Sequence, residues 1–333
     1  MESDLIDIFH TNGYVVVPGV LSPSEVNDIR IGFHNYLQDR GVDVNDLEKT
    51  AGNLSALSST GGAGGILDIF WADFKLKVLE HPNISEVFRV LWDATFSDSI
   101  TPGYEHEYGS FNSADAIAAV DRVCFRLPDT ISQLHSTLGK GKKTKGLQRH
   151  LAPHLDCCPH PEQTAGATSG AKWRPIQAFV ALTDNLNPNE GGFECCPGMH
   201  REFREWAASR TGTTMKVNVK VKGEGNEQEQ ELGPPPCLGA FTPMRPLEDA
   251  DVLARFVHVP CRAGDLVLWD NRIPHANSRE HVGVTPREVV YIGMLPPTTG
   301  NFAYGRQQRE RFHEGRLPVD FWQGKTDEIR QVS

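Results

Sequence analysis

Residues 154–160 read HLDCCPH, with two histidines, an aspartate and two cysteines in seven positions, the densest run of metal-capable side chains in the sequence. On a strand, alternate side chains share a face, so His154 and Asp156 would offer one imidazole nitrogen and one carboxylate oxygen to the same ion. Cys158 has the same parity, whereas Leu155 and Cys157 face the other way. A third ligand must come from elsewhere. His275, in GDLVLWDNRIPHANS after an apolar strand and a GD turn, is the best placed. Two histidines and one carboxylate hold Fe(II) on one face and leave positions for a bidentate cosubstrate and dioxygen. Structural zinc rich in thiolates would need more well-oriented sulfur. A non-catalytic zinc-binding β-sandwich that serves as a binding module is the competing reading.

The chain that must position these groups has 333 residues, enough to bury a substantial core. Its net charge of −10 gives duplex nucleic acid and anionic membranes no general attraction, though one buried arginine suffices for a small anion. Seven cysteines, an odd number that includes two adjacent pairs, do not resemble a secreted disulfide framework. The start, MESDLIDIFHTNGY, lacks the basic and apolar regions of a signal peptide, and no apolar run reaches membrane-spanning length. The sequons NLS and NIS, at 53–55 and 83–85, are then coincidences. These features predict a cytoplasmic or otherwise intracellular protein with no nucleic-acid partner and no stable membrane insertion.

The positioning elements fall into two regions. Leu5, Ile8 and Phe9 predict a short helix, and YVVVPGVL an extended run. In SPSEVNDIRIGFHNYLQDRG, Ser22 caps, Pro23 fits the first turn and Glu25 completes a capping box. Val26, Ile29, Phe33 and Leu37 make the buried face of that helix, and Gly41 stops it. Residues 50–66, rich in Gly, Ser and Ala, predict a flexible loop, followed by a second helical region in EVFRVLWDATF. After about residue 120, DRVCFRLPD, WRPIQAFVALTD, RFVHVPCRAGDLVLWD and REVVYIGMLP predict short strands in an all-β sandwich or barrel. GKGKKTKG (139–146) and VKGEGNEQEQELGPPP (221–236) have the composition of exposed insertions.

Several of these blocks, in order, resemble the phytanoyl-CoA-hydroxylase-like oxygenases. They are TNGYVVVPGVLSPSEVNDIR, HLD at 154–156, IQAFVALTDNLNPNEGGFECCPGMH at 176–200, and GDLVLWDNRIPHANSREHVGVTPREVV at 264–290. Residues 40–120 and 205–255 match poorly, and CCPGMH departs from the family in placing Met199 where relatives carry a small hydroxyl residue. The resemblance implies a mainly β fold, a double-stranded β-helix of jelly-roll, cupin-like type, with surrounding helices. It implies one domain over 1–333, with a helical portion of about 1–115, a β core of about 120–298 and an extension at 299–333. It implies Fe(II) held by His154, Asp156 and His275, with 2-oxoglutarate and dioxygen as co-reactants. Arg287, rather than the nearer Arg279, matches the family's anchor for the distal carboxylate of 2-oxoglutarate, and an arginine's planar fork suits that group. Gln177 and Ser278 are further cosubstrate candidates, each with a plain polar or turn role as its alternative.

The implied reaction is oxidation of an unactivated C–H bond of a small polar or anionic metabolite, by hydroxylation, oxidative cyclisation or desaturation. A peptide or protein side chain is the alternative substrate. Related halogenases replace the carboxylate with a small residue, so the retained Asp156 disfavours halogenation. Arg122 and Arg126, which share strand parity, and Arg174 are substrate-anion candidates that surface ion pairing would equally explain. Tyr104, Tyr108 and Trp173 are candidate contributors to a substrate wall.

Overall fold

Period-two alternation after residue 115 gives strands with two different faces, and the chain folds them into two antiparallel sheets packed face to face. The computed structural model describes residues 2–95, 115–138, 144–157, 174–210, 215–220, 227–232, 242–297 and 299–318. In chain order the strands are β1 (Tyr14–Val17), β2 (Ile66–Leu67), β3 (Ile117–Arg126), β4 (Thr137–Leu138) and β5 (Thr144–Lys145). Next come β6 (His154–Leu155), β7 (Ile176–Ala181), β8 (Phe193–Cys195), β9 (Met215–Lys220) and β10 (Glu227–Leu232). The last are β11 (Thr242–Pro243), β12 (Val257–His258), β13 (Leu266–Asp270), β14 (His275–Asn277) and β15 (Arg287–Leu295). The larger sheet runs β1-β13-β7-β15-β3-β2 and the smaller β11-β6-β14-β8-β12, the paired layers of a double-stranded β-helix.

Alternation sorts the larger sheet's side chains cleanly. Ile176, Ala178 and Val180 of β7, with Leu266 and Leu268 of β13, pack toward the helices. Phe179, Ala181, Val267 and Trp269 point instead between the sheets and meet Leu155, Phe193 and Cys195 of the smaller one. One irregularity breaks the rhythm. Val290 pairs with Val123 but Ile292 pairs with Val120, so Asp121 and Arg122 together oppose Tyr291 in a β-bulge. Val120 and Val123 both face the helices, which turns the two intervening residues the other way.

The helices Pro23–Gln38, Asp73–Leu79 and Pro82–Thr95 cover the outer face. The first has the expected capping box and buries Val26, Ile29, Phe33 and Leu37. Its Arg30 and His34 reach Glu288, which β15 directs to the helix side. The helix Thr299–His313 finishes the sheet: Gln308 Oε1 accepts from Val120 N at 3.1 Å, and its Nε2 donates to Ala118 O at 3.3 Å. A side-chain amide thus stands in for a neighbouring strand on an open edge. No helix among the described residues is long and apolar enough to cross a membrane.

One expectation is corrected by the structure. Residues 50–66 do not form a flexible loop: Ala51–Leu57 is a 3-10 helix, and the following turns pack against the chain at 125–126 and 147–149. The glycines signal close approach rather than freedom, since a Cβ on Gly62 would stand 2.3 Å from Leu147 O and one on Gly65 2.5 Å from Arg126 Cα. The 221–236 insertion is in part a strand, because Glu227–Leu232 pairs along its whole length with Met215–Lys220. EQEQEL lacks the apolar alternation that marks a strand with one buried face, so only its partner reveals it.

Candidate metal centre

His154 and His275 are direct partners across the β6–β14 ladder, and their ring centroids lie 4.4 Å apart. Asp156 follows β6 and turns its carboxylate to both rings, Oδ1 3.6 Å from His154 Nε2 and Oδ2 3.5 Å from His275 Nε2. One ligand atom from each of the three residues falls within 4.8 Å of the others. His154 Nδ1 lies 2.7 Å from Ala152 O and His275 Nδ1 3.0 Å from Ile273 O. A carbonyl only accepts, so each ring carries its proton on Nδ1 and, when neutral, leaves a bare Nε2 lone pair facing Asp156. Burial, then the facing His275, push His154 down to about 4 against the pull of Asp156. Burial alone would raise Asp156, but His154, His275 and Arg174 hold its carboxyl well below the usual carboxylate range.

Two bare imidazole nitrogens on buried rings and an ionised, partly buried carboxylate repel unless a cation lies among them. The donor set therefore fits a divalent metal, with nitrogen and oxygen ligands of the kind that suits Fe(II). No cysteine joins the group among the described residues, and burial pushes the neighbouring Cys195 thiol up, away from the thiolate that zinc would need. Cys158 lies outside the described residues.

The three residues open into a cavity of about 410 Å3, the size range of small-molecule sites. Phe193, Trp269 and Tyr291 form an aromatic side, and Asn277 lies near the histidines. Ser59 and Thr60, from the turns that the sequence presented as a loose loop, also reach this cavity. The bulge delivers Asp121 and Arg122 to it. Arg174 donates to Asp121 at 2.6 Å, and Arg122 to Asp68 at 2.8 Å. Burial opposes ionisation of Asp121, yet Arg174 and Arg122 hold its carboxyl below the ordinary value.

Gln177 shares the inward face of Phe179, and its Nε2 donates to Asp156 Oδ2 at 2.6 Å. In this structure it orients a candidate ligand. Arg287 is 3 % exposed, with its guanidinium 5.0 Å from the centre of the Phe179 ring and its Nε without an acceptor. Arg279 is exposed. Ser278 is fully buried with an unpartnered Oγ. Such buried, unsatisfied donors are what a carboxylate in the interior would need. Arg126 is also buried, and neither it nor Arg287 nor Ser278 lines the cavity with Arg122 and Arg174. Tyr104, Tyr108 and Trp173 lie outside the described residues. Asp121, Trp269 and Tyr291 escaped the sequence analysis. The alternation in LVLWD and REVVYIGML could have marked the two aromatics as inward-facing, but a bulge has no local signature.

Residues 157–332, just over half of the chain, match the Gig2-like family. Comparison with curated proteins returned no match. Among solved structures, the chain resembles GlcNAc-inducible Gig2 (DUF1479) of Candida albicans, at 15 % identity and a TM-score of 0.62, over 98 % of this chain and 71 % of that one. It resembles the hypothetical protein JW0805 of Escherichia coli at 16 % identity and a TM-score of 0.62, over 98 % and 76 % of the two chains. The non-haem α-ketoglutarate-dependent carbocyclase SnoK from nogalamycin biosynthesis gives 16 % identity and a TM-score of 0.51, over 89 % and 84 %. Likeness at these identities establishes a common fold, and that fold occurs in an α-ketoglutarate-dependent enzyme. The matching family is thus not the phytanoyl-CoA-hydroxylase-like one that the sequence blocks resemble: the chain belongs to the Gig2-like family.

Proposed function

We propose that this chain is an Fe(II)- and 2-oxoglutarate-dependent dioxygenase that oxidises an unactivated C–H bond of a small polar or anionic metabolite. His154, Asp156 and His275 are the metal ligands in this reading, and the observation that carries it is their convergence. Both Nδ1 atoms are committed to backbone carbonyls and both bare Nε2 atoms face one carboxylate. The shared fold with an α-ketoglutarate-dependent carbocyclase supports the same reading.

Iron with 2-oxoglutarate and dioxygen supplies C–H oxidation, with release of succinate and carbon dioxide. The chain's own residues bind and orient. Gln177 fixes the Asp156 carboxylate through Oδ2, and Arg287 with Ser278 offers buried donors to the cosubstrate. Arg122 and Arg174, tethered by Asp68 and Asp121, place positive charge at the cavity wall that suits a polar or anionic substrate. The aromatic side formed by Phe193, Trp269 and Tyr291 keeps bulk water from the metal. A cavity of about 410 Å3 favours a small molecule over a protein side chain as substrate.

Anaerobic addition of Fe(II) and then 2-oxoglutarate is expected to produce a weak metal-to-ligand charge-transfer band that Asp156→Ala abolishes. Unchanged spectra, together with tight stoichiometric zinc, would overturn the proposal in favour of a zinc-binding module.

A further inference from the structure

Arg287 and Arg126 occupy directly opposed positions of the β15–β3 ladder. Both belong to the alternating set that faces the space between the sheets, with Cys124 two residues before Arg126 and Val289 and Tyr291 after Arg287. They are 1 % and 3 % exposed for Arg126 and Arg287, respectively. Like charges directly across a ladder repel, and burial makes each guanidinium dependent on a counter-charge. Asp129 accepts one bond from Arg126 Nη2, at 2.9 Å. Arg126 Nε and Nη1 and Arg287 Nε have no acceptor, and the sulfur of Cys124, 3.6 Å from Arg287 Nη1, is a weak one. Ser278 Oγ and both ring nitrogens of buried His281 are also unpartnered. Burial, and then Arg126, push His281 down to about 4, so it adds no charge near neutrality. Two guanidiniums against one carboxylate leave a surplus positive charge, with several N–H groups aimed at nothing.

This cluster adjoins the candidate metal centre. Tyr291 lines the cavity that holds the three ligands and also hydrogen-bonds Arg287. Phe179, beneath the Arg287 guanidinium, is the next inward residue on β7 after Gln177, which holds Asp156. The chain from ligand carboxylate to arginine pair is therefore continuous within one interior.

Resting on the function proposed above, we infer that Arg126 and Arg287 form a two-guanidinium clamp for the distal carboxylate of 2-oxoglutarate. Arg126 is then a cosubstrate-binding residue, not one that meets the substrate. A carboxylate has two oxygens and about four lone-pair sites, enough for both guanidiniums together. It also relieves the repulsion between them.

The test uses the full chain loaded anaerobically with Fe(II), titrated with 2-oxoglutarate and with 2-oxopentanoate, which lacks the distal carboxylate. Affinity is read calorimetrically and from the charge-transfer band. Arg126→Met is expected to weaken 2-oxoglutarate about tenfold or more while leaving 2-oxopentanoate and Fe(II) affinity unchanged. Arg126→Lys, which keeps the charge but not the fork, should fall between. A second measurement needs neither iron nor the variant's catalytic competence: glutarate should raise the melting temperature of metal-free wild type but not of Arg126→Met. Equal 2-oxoglutarate affinity in folded Arg126→Met would overturn the clamp and leave the oxygenase proposal standing. Absence of the band in wild type, with the glutarate shift present and lost in Arg126→Met, would overturn the oxygenase proposal and keep the carboxylate clamp. If Arg126→Met does not fold, the absence of a glutarate shift in wild type overturns the clamp.

Discussion

Gln177 Nε2 donates to Asp156 Oδ2 at 2.6 Å, so a residue on β7 of the larger sheet fixes a carboxylate that directly follows β6 of the smaller one. The bond crosses the interior between the sheets and leaves Oδ1 on the His154 side. A contact of this type sets how a carboxylate presents itself to a metal, and loss of such a partner typically weakens metal binding about 10–100-fold. Gln177→Leu should lower Fe(II) or Co(II) affinity by that order in competition titrations, with little change in melting temperature. Unaltered metal affinity would show that Asp156 needs no brace.

The glycine turns over β3 predict an asymmetry between two positions with positive φ. Gly65→Ala places a Cβ 2.5 Å from Arg126 Cα at φ 69°, whereas Gly19 has φ 61° and nothing within 4 Å. Backbone strain and overpacking together should cost Gly65→Ala about 2–6 kcal/mol, against about 1–2 kcal/mol for Gly19→Ala. Urea denaturation of both variants checks the ranking. Equal losses would mean that the approach to Arg126 relaxes freely.

Lys75 is 1 % exposed and donates to Tyr291 O at 3.0 Å from the helix Asp73–Leu79. Burial pushes it down to about 7, against the pull of Asp121. The folded value lies below the unfolded one, so between about pH 7 and 10.5 the unfolded chain holds a proton that the folded chain lacks. Stability from this group therefore rises with pH across that window, by at most about 1.4 kcal/mol for each pH step of one. Unfolding free energies at pH 7 and 9.5 should show the rise in wild type and a flatter line in Lys75→Met. An identical slope in the variant would assign the rise to other groups.

Glu288, buried behind β15, holds Arg30 through two bonds of 2.9 and 3.0 Å and His34 through one of 3.0 Å. Burial would raise its carboxyl, but His34 and Arg30 outweigh that and lower it. A depressed carboxylate contributes stability above its unfolded value of about 4.5 that is lost as pH falls through the folded value. The melting temperature should therefore fall more steeply with decreasing pH below about 4.5 for wild type than for Glu288→Gln. Arg30 is 36 % exposed and His34 remains, so Arg30→Ala should cost only about 1–2 kcal/mol near neutrality.

The sequence by itself determined what few residues can encode. The Ser22–Glu25 capping box, the buried stripe from Val26 to Leu37 and the inward-outward alternation of IQAFVA and LVLWD are periodicities and caps within one or two turns. The HLD spacing likewise put His154 and Asp156 on one side of a strand end, and the RIPHANS segment supplied a third candidate. The tertiary structure decided what depends on register between distant segments. It paired His154 with His275, set Arg126 against Arg287, and through a bulge turned Asp121 and Arg122 into the cavity. It also converted a glycine-rich stretch from loop to packed turn, because the backbone at 126 and 147 leaves no space for a Cβ. Neither Arg126 nor Gly65 carries a local sign of these roles. Like-charge pairing and close approach are properties of two strands meeting, and they exist only once the sheet is formed.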